Sequence, residues 1–522
     1  MHPLRKPSYM KRHITGVSQL LGILLLTCSG LSAQAQVASQ SPAQSRTEAQ
    51  FRAVRAQQPQ LWAFLKDMPK GGDLHVHLSG AIYAESMIAW AAEDGLCVDE
   101  KTLTVVKPPC DPAQGRVAMA SAQSSSTLYR RMIDAWSMRN PATWGLSGHD
   151  QFFDSFGKFS QANKNGHTGD MLAEVAARAS VGKVSYLELM ETPGSSELNA
   201  VIAKAPWNDD LGAMRDALIK NGLSDAVKAA GNDLRSGMAK QREILKCESA
   251  QPGPGCEVAV RFIYQVLRGL PKEVVFAQIL TGFELASSDP NVVGLNLVMP
   301  EDAMVPMRDF SMHMRFIDFL QKLYPKVQVS LHAGELAPGL VPPDGLRFHI
   351  RDSINIGHAK RIGHGVDVMQ EDHAVDLLKQ MARDKVMVEI CLTSNTGILG
   401  VSGTHHPLSA YLQYGVPVAL ATDDEGVSRS EMTAEYVKAV QEQNISYRQL
   451  KTMARNSLQY AFVQGASYWQ DIDRLRPAAV CAKDKLGAKS ISSSCQGYLD
   501  ANPKAKLQRK LEDDFAQFES KF

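Results

Sequence analysis

Eight short runs of apolar and β-branched residues recur along the chain, each separated from the next by a longer stretch with helical patterning. The runs cover residues 73–78, 184–189, 258–264, 292–298, 327–331, 361–363, 386–391 and 416–421. Strands that alternate with helices form parallel sheets, and eight such units can close on themselves. The sequence therefore predicts an α/β fold, a (β/α)8 TIM barrel with insertions and a C-terminal helical extension.

Four segments are expected around this barrel. They are a signal peptide (1–35), a linker with an N-terminal helix (36–63), the barrel domain (64–470) and the helical extension (471–522). The helix of the second segment is expected near Phe51–Leu65. Two stretches, roughly 97–165 and 195–256, interrupt the alternation of strand and helix and are predicted insertions.

The first residues have the pattern of an export signal. Basic residues precede an apolar run at 19–26, which is followed by Ala33-Gln34-Ala35. Such a run is shorter than the roughly 20 residues that a membrane-spanning helix needs. We expect cleavage after Ala35 and a periplasmic or secreted protein. Lipidation at Cys28 is the alternative, for which Thr27 is a poor match.

Export into an oxidising compartment favours disulfides. Six cysteines lie close together in pairs, each pair enclosing a short loop-like segment: Cys97 and Cys110, Cys247 and Cys256, and Cys481 and Cys495. Cys391 stands apart inside an apolar run, and we interpret it as a buried small side chain rather than a nucleophile.

The charge balance gives no reason to expect either of two polyanionic partners. The chain carries 56 Lys and Arg against 55 Asp and Glu, a formal net charge of +1. Nucleic acids and anionic membranes are bound through broad basic fields, which this balance does not provide. The charge balance therefore predicts no nucleic acid and, after removal of the leader, no membrane; the expected partner is a small molecule. The oligomeric state stays open.

Histidines and carboxylates stand where four of the predicted strands end. His75 and His77 share one side of the first strand, because alternate residues of a strand face the same way. His332 and then Glu335 follow the fifth run, and His364 lies between glycines after the sixth. Asp423 and Asp424 follow the eighth. Barrel enzymes carry their active residues at these carboxyl ends.

Three imidazoles and one carboxylate, from His75, His77, His332 and Asp423, form a ligand set that suits zinc. Zinc lowers the pKa of a bound water toward neutrality, so the predicted chemistry is metal-assisted hydrolysis. His364 and Asp424 remain to orient the water or take its proton. Glu335 remains to donate a proton, which requires a pKa raised by burial.

Several motifs together resemble the adenosine deaminase family of metal-dependent amidohydrolases, and the exported form resembles its secreted growth-factor group. The motifs are Met68-Pro69-Lys70, Leu74-His75-Val76-His77-Leu78, His332-Ala333-Gly334-Glu335, Gly363-His364-Gly365 and Thr422-Asp423-Asp424.

The resemblance implies one zinc ion per subunit, held by the four ligands named above. It further implies that Glu335 protonates the purine ring nitrogen next to the attacked carbon. His364 would assist the hydrolytic water, and Asp424 would hold that water and a nitrogen of the five-membered ring. The implied reaction is deamination of adenosine or deoxyadenosine to the inosine product, with release of ammonia.

Two positions depart from the family pattern. Ser79 stands where many members have an aspartate that contacts the ribose, and Met299 stands where a glycine is usual. An aminohydrolase for adenine or a modified adenine is therefore one alternative. An exported binding or signalling protein without turnover is another, although such a protein needs no proton donor beside a metal. His349, His358, His373, His405 and His406 are interpreted as surface residues or as supports of the ligands.

Overall fold

The computed structural model describes residues 41–163, 166–488 and 490–522. The predicted signal peptide and its cleavage site lie outside these residues. None of the helices in the described part of the chain combines the length and apolar character that a membrane crossing requires.

In the described residues the strands are β1 (Gly71–His77), β2 (Cys97–Asp99), β3 (Val105–Val106), β4 (Arg116–Ala118), β5 (Val184–Glu191), β6 (Ala259–Leu267), β7 (Val292–Val298), β8 (Gln328–Ala333), β9 (Arg361–His364), β10 (Met387–Ile390), β11 (Val418–Leu420), β12 (Trp469–Asp471) and β13 (Arg476–Pro477). Eight of them pair in parallel in the order β1-β5-β6-β7-β8-β9-β10-β11.

The barrel closes between its first and last strands. The backbone N–H of Asp423, just after β11, donates to the carbonyl of His75 at 2.9 Å, and that of His77 donates to the carbonyl of Asp423 at 3.1 Å. Each of the eight apolar runs is a barrel strand, so the TIM barrel prediction is confirmed. Their mostly buried side chains form the core, as in other parallel sheets that are covered on both faces.

The helices of the described residues are α1 (Pro42–Val54), α2 (Gln58–Asp67), α3 (Ala84–Glu93), α4 (Met119–Ser124), α5 (Ser126–Ala135), α6 (Gly148–Phe159), α7 (Thr168–Val181), α8 (Ser195–Ile202), α9 (Leu211–Lys220), α10 (Leu223–Ile244), α11 (Lys272–Ser288), α12 (Met304–Leu323), α13 (His349–Asn355), α14 (Ala374–Asp384), α15 (Leu392–Leu399), α16 (Leu408–Tyr414), α17 (Glu425–Ser428), α18 (Met432–Gln443), α19 (Tyr447–Gln459), α20 (Ser493–Ala501) and α21 (Pro503–Glu519). Short 3₁₀ helices lie at Pro112–Gln114, Pro141–Trp144, Pro343–Leu346, Gly403–His405 and Ala479–Cys481.

The N-terminal segment differs from the expected linker with one helix. Two helices, α1 and α2, cover most of its described residues, 41–63. The hydroxyl of Ser41 caps α1 by accepting from the N–H of Gln44, which satisfies an otherwise unpaired donor. Phe51 and Val54 are buried on one side of α1, so packing supports a helix in a Gln- and Ser-rich sequence that lacks a clear apolar face.

The first predicted insertion contains a small antiparallel sheet, β3-β2-β4, and helices α4 to α6. Helix α6 packs against α15, which follows β10 at the carboxyl end of the barrel. The two helices lie very close together, since a Cβ added to Gly148 of α6 would be only 2.0 Å from the carbonyl oxygen of Gly397 in α15. Glycine allows this close approach of the two backbones. The second predicted insertion holds α8, α9 and α10.

The C-terminal segment pairs β12 with β13 and ends in α20 and α21. Phe518 of α21 packs edge-on against Phe64 of α2 with ring centroids 5.3 Å apart, so the two ends of the described chain meet. Three disulfides are formed between the predicted neighbours: Cys97–Cys110, Cys247–Cys256 and Cys481–Cys495. Cys391 is free and buried.

Candidate active site

Four of the predicted residues meet at the carboxyl end of the barrel. His75 and His77 lie on β1, His332 on β8, and Asp423 directly after β11. The Nε2 atom of His332 is 3.0 Å from that of His75 and 3.2 Å from that of His77. The Oδ1 atom of Asp423 lies 3.5 Å from Nε2 of His75 and 3.3 Å from Nε2 of His77. Segments from both ends of the barrel sequence thus supply one small cluster.

An oxygen from another strand fixes the far side of each imidazole. The Nδ1 contacts are His75 with Glu389 at 2.6 Å, His77 with Gln265 at 2.7 Å and His332 with Asn296 at 3.0 Å. A neutral imidazole carries one N–H, and oxygen acceptors at Nδ1 place that hydrogen there. The three Nε2 lone pairs consequently point at one another.

Such a meeting of lone pairs attracts a positive charge. Burial opposes protonation of His75, but its hydrogen bonds with Asp423 and Glu389 prevail and raise its pKa to about 10. Burial, followed by the neighbouring His75 and His77, holds the pKa of His332 well below its usual value. The cluster therefore favours a single cation at its centre.

The spacing fits a metal ion. Bonds of roughly 2.0–2.1 Å in a tetrahedral site place neighbouring ligand atoms about 3.3 Å apart. Among the described residues, two groups bring one ligand atom from each member within 4.8 Å of the others: His75, His332, His364 and Asp423, and His77, Asp423 and Asp424.

The first of these groups includes His364 in place of the predicted His77. The shorter distances favour His77, whose Nε2 is 3.2 Å from His332. In His364 the Nε2 atom is 3.9 Å from Asp423 and 3.6 Å from Glu335. We therefore retain His75, His77, His332 and Asp423 as the candidate ligands and place His364 beside them.

Two polar atoms beside the cluster lack hydrogen-bond partners among the described residues: Nε2 of His364 and Oδ1 of Asp424. Asn395 contacts Nδ1 of His364 at 3.0 Å, so the other ring nitrogen is directed into the site. Gly80 admits the Asp424 carboxylate, since a Cβ there would lie 1.5 Å from Oδ1. Both atoms can therefore hydrogen-bond a water molecule or a substrate.

Burial sets the protonation of the remaining carboxylates. It raises the pKa of Glu335 well above the usual value, helped by the charge of Asp423, as expected for a proton donor. It also raises the pKa of Asp424, again helped by Asp423. The backbone of Glu335 is fixed, because Glu301 accepts from its N–H at 2.8 Å. Glu301 in turn contacts Nδ1 of His349 at 2.6 Å.

Backbone strain is concentrated at the same rim. Asp423 has φ of +60° and His364 has φ of +70°, a left-handed conformation that few residues other than glycine adopt. Such strain persists where surrounding contacts over-determine it, as at ligand sites. Ser394 provides one such contact by donating to Oδ2 of Asp423 at 2.6 Å.

The two positions that depart from the family pattern also lie at this end of the barrel. Ser79 follows β1 and is partly exposed. Met299 follows β7 with φ of +87° and its side chain 38% exposed. Its thioether lies over Gly269, where a Cβ would come within 2.7 Å of the Met299 methyl group. Gly269 has no side chain and so leaves room for the side chain of Met299. Met299 itself has a backbone conformation that glycine adopts more easily.

The residues that hold the imidazoles were not identified from the sequence. Glu389, Asn296 and Gln265 each stand alone among apolar strand residues, and that isolation was the available signal, because a buried polar group needs a partner. Two histidines interpreted as surface residues or supports are buried supports. His349 contacts Glu301, and His406 contacts Oδ1 of Asn395 at 3.1 Å.

A parallel eight-stranded barrel with convergent imidazoles at its carboxyl end is typical of metal-dependent barrel proteins. The model of the adenosine deaminase family matches residues 163–475, more than half of the chain. The chain belongs to the adenosine deaminase family. The match includes His332, Glu335, His364, Asp423 and Asp424 but begins after β1.

Among curated relatives, the adenosine deaminase of Aliivibrio fischeri (strain ATCC 700601 / ES114) is 34% identical over 138 residues, which are 26% of this chain and 38% of the relative. The adenosine deaminase of Vibrio cholerae (strain M66-2) is 34% identical over 151 residues, 28% of this chain and 42% of the relative. The matched regions thus span less than half the length of these relatives.

Solved structures show the same fold. The adenine deaminase of Arthrobacter aurescens superposes with a TM-score of 0.50 at 18% identity, covering 78% of this chain and 96% of that one. The N6-methyl-AMP deaminase of Arabidopsis thaliana gives a TM-score of 0.50 at 18% identity, covering 79% and 96%.

Proposed function

We propose that the protein is an exported, zinc-dependent aminohydrolase that converts adenosine or deoxyadenosine to inosine or deoxyinosine and ammonia. One observation carries the proposal: three imidazole Nε2 atoms and a carboxylate converge beside the buried Glu335, with Nε2 of His364 and Oδ1 of Asp424 directed at the same place. Membership of the adenosine deaminase family supports it.

The residues suited to hold zinc are His75, His77, His332 and Asp423, because nitrogen ligands with one carboxylate suit zinc better than magnesium or calcium. When bound, zinc supplies a Lewis acid that lowers the pKa of water toward neutrality. The side chains of Glu389, Gln265 and Asn296 keep the ligand nitrogens aimed at the centre.

The protein's own groups handle the protons. Glu335, kept neutral by burial, donates its proton to the ring nitrogen next to the amino-bearing carbon. Burial lowers the pKa of His364 to about 3, so its imidazole is neutral. Its Nδ1 accepts from the side-chain amide of Asn395, so the ring hydrogen is on Nε2, which can orient the attacking water by donating to its oxygen. Asp424 accepts a proton from that water through Oδ1 and passes it to the amino group. The water oxygen bonds to the ring carbon, the carbon–nitrogen bond breaks, and the amino group leaves as ammonia.

A second candidate is an aminohydrolase for adenine or a modified adenine. Ser79 offers a neutral hydroxyl where a carboxylate would bind a sugar hydroxyl more strongly. Met299 adds a flexible, partly exposed side chain at the rim of the site. Both positions affect which purine fits, whereas the groups that carry out the hydrolysis are the same for either candidate.

The decisive experiment measures formation of the 6-oxopurine product by the zinc-loaded protein from adenosine, deoxyadenosine, adenine and N6-methyladenosine, with a chelated sample as control; the first three substrates release ammonia and the fourth releases methylamine. Fastest turnover of the two nucleosides supports the leading proposal, and fastest turnover of adenine or the methylated analogue supports the second candidate. Ligand binding without product formation from any of the four would favour a non-catalytic binding protein.

Export is tested separately. We propose that the leader is cleaved after Ala35, so the mature protein would begin at Gln36. N-terminal sequencing of protein recovered from the periplasm or medium of an expressing bacterium measures this directly. A mature chain that begins at a lipid-modified Cys28 would contradict the cleavage site.

A further inference from the structure

A second concave site lies at the amino end of the barrel, opposite the histidine cluster. It is a groove of about 510 Å³ between the starts of β7 and β8 and the segment 459–465 that follows α19. Small-molecule sites commonly have volumes of roughly 300–1,000 Å³. We call it the lysine groove, because Lys326, Lys360, Lys385 and Lys504 line it.

Three of these lysines occupy equivalent places in the barrel. Lys326 precedes β8 by two residues, Lys360 precedes β9 by one, and Lys385 precedes β10 by two. These strands are neighbours in the sheet, and adjacent strands lie about 4.8 Å apart. The three side chains therefore form an arc along one edge of the barrel, and Lys504 of α21 adds a fourth cation to the same groove.

The positive charge in this groove is poorly balanced. None of the described residues that line it is an aspartate or glutamate. Lys385 has a carboxylate neighbour in Asp473 at 3.4 Å, whereas Lys504 donates to the carbonyl of Gln459 at 3.1 Å. Burial lowers the pKa of Lys504, which reflects the cost of holding an ammonium there. Like charges in one groove repel, and an anion would relieve the repulsion.

The nearest buried carboxylates are already engaged. Behind Phe462, the buried Arg361 pairs with Glu188 and Glu389 at 2.6 Å each. Glu188 also accepts from the backbone N–H of Phe462 at 2.6 Å. These acids are therefore not free to neutralise the lysines.

The rest of the lining is largely apolar. Val292, Val293 and Val327 are buried at the entries of β7 and β8, and the ring of Phe462 is half-buried beside them. A ligand suited to this lining combines a compact, strongly anionic group for the ammonium ions with an apolar or aromatic part for the floor. Lysine binds phosphate as a point charge, and two phosphate charges match several lysines better than one carboxylate charge does.

We propose that the lysine groove binds a small organic phosphate, with its phosphate group among Lys326, Lys360, Lys385 and Lys504 and its organic part against Phe462 and the valines. This site is separate from the metal cluster and does not depend on the proposed reaction.

The test uses phenyl phosphate, which joins a phosphate to an aromatic ring, with inorganic phosphate and benzoate as comparison ligands. Binding to the full-length, zinc-loaded protein is measured by calorimetry at low and high salt. The variants are the double substitution Lys326→Ala with Lys360→Ala, and a matched control, Lys228→Ala with Lys240→Ala, which removes two exposed lysines from α10. Thermal unfolding checks that both variants are folded.

We expect saturable binding of phenyl phosphate that weakens with salt and is tighter than that of inorganic phosphate or benzoate. The groove variant should bind roughly tenfold more weakly or worse, and the control variant should match the wild type. A single Lys504→Met substitution should also weaken binding. Equal affinity in the groove variant would overturn the site, since the ligand would then be bound elsewhere.

Two further results would overturn the ligand class. Inorganic phosphate binding as tightly as phenyl phosphate would mean that the lysines hold an adventitious ion only. Benzoate binding as tightly would show that the groove selects an aromatic anion without regard to phosphate. Absence of saturable binding of phenyl phosphate to the wild type would overturn the proposal as a whole.

Discussion

The two ends of the barrel differ in how their charged and polar side chains are buried and partnered. At the carboxyl end, His75, His332 and Asp423 are buried, and each is held by a partner from another strand or, for Asp423, from helix α15. At the amino end, Lys326 and Lys360 are exposed and have no carboxylate within 4 Å among the described residues. The first arrangement holds its groups in place before a ligand arrives, whereas the second leaves exposed cations without a carboxylate partner.

A buried ion pair joins the two ends. Arg361 donates from Nε to Glu389, which holds His75, and its guanidinium lies over the ring of Phe462 in the lysine groove. Partners of this kind orient metal ligands, and their loss commonly lowers metal affinity. The interior of one sheet thus connects the candidate metal cluster with an open, cationic groove.

Metal removal should give the largest effect and separate the ends most clearly. Chelation should lower deaminase activity by roughly a thousandfold or more, because the Lewis acid is lost, while phenyl phosphate binding at the lysine groove stays unchanged. Ammonia release and calorimetry on the same chelated sample measure both, and added zinc should restore the activity. Full activity in a metal-free sample would contradict the assignment of the cluster.

The substitution Glu335→Gln should have the second largest effect. The amide keeps the shape of the side chain but cannot donate a carboxylic proton, so kcat should fall by roughly 10² to 10⁴. Metal content and thermal stability should stay near the wild-type values, and Glu197→Gln, an exposed glutamate of α8, serves as control. Near-normal turnover would remove Glu335 from the proton-donor role.

Glu389→Gln should weaken zinc binding without removing a ligand. The charged hydrogen bond to Nδ1 of His75 is lost, so zinc affinity should drop by roughly 10- to 100-fold in a chelator competition assay. Glu435→Gln is the matched control, since Glu435 is buried but contacts the backbone of Thr393 instead of an imidazole. Equal effects in both variants would indicate a general loss of stability.

The contact between the first insertion and the rim should make stability depend on pH. His149 of α6 lies 2.9 Å from Asp302, and that hydrogen bond, with a smaller contribution from Asp150, raises the pKa of His149 to about 9. A raised pKa stabilises the fold fully below the unfolded value near 6.5, and this contribution disappears as pH rises through about 9.

The free energy of unfolding should therefore exceed that of His149→Gln by on the order of 1 kcal/mol near pH 6, and the difference should vanish near pH 10. Urea unfolding at several pH values measures it. His405→Gln, at an exposed histidine, should show no such trend. A difference that does not change with pH would mean that the pair is not protonated as described.

The smallest expected effect lies at the amino end. Lys326→Ala with Lys360→Ala should change kcat/KM for the preferred substrate by less than about twofold, because distant sites act independently unless they are coupled. Ammonia assays without added phosphate measure this. A tenfold decrease would show that the groove influences the metal site, with Arg361 as the connecting residue.

The strands and the positions of the site motifs were predictable from local patterns. A run such as 386–391 is apolar and β-branched, and His332 or Asp423 comes directly where such a run ends. The structure brings these motif residues together, while their roles in catalysis stay predictions. The helix at Pro42–Val54 was not predictable in this way, because its stability depends on tertiary packing of Phe51 and Val54.

The sequence alone determined the order of the strands and which residues stand at their carboxyl ends, since side-chain alternation and strand propensity act between near neighbours. Only the tertiary structure decided which nitrogen of each imidazole faces the centre and that three strand-entry lysines share one groove. Both follow from closure of the barrel, which places residues from distant strands a few ångströms apart. Hydrogen bonds form only at that distance, and charge repulsion is strongest there.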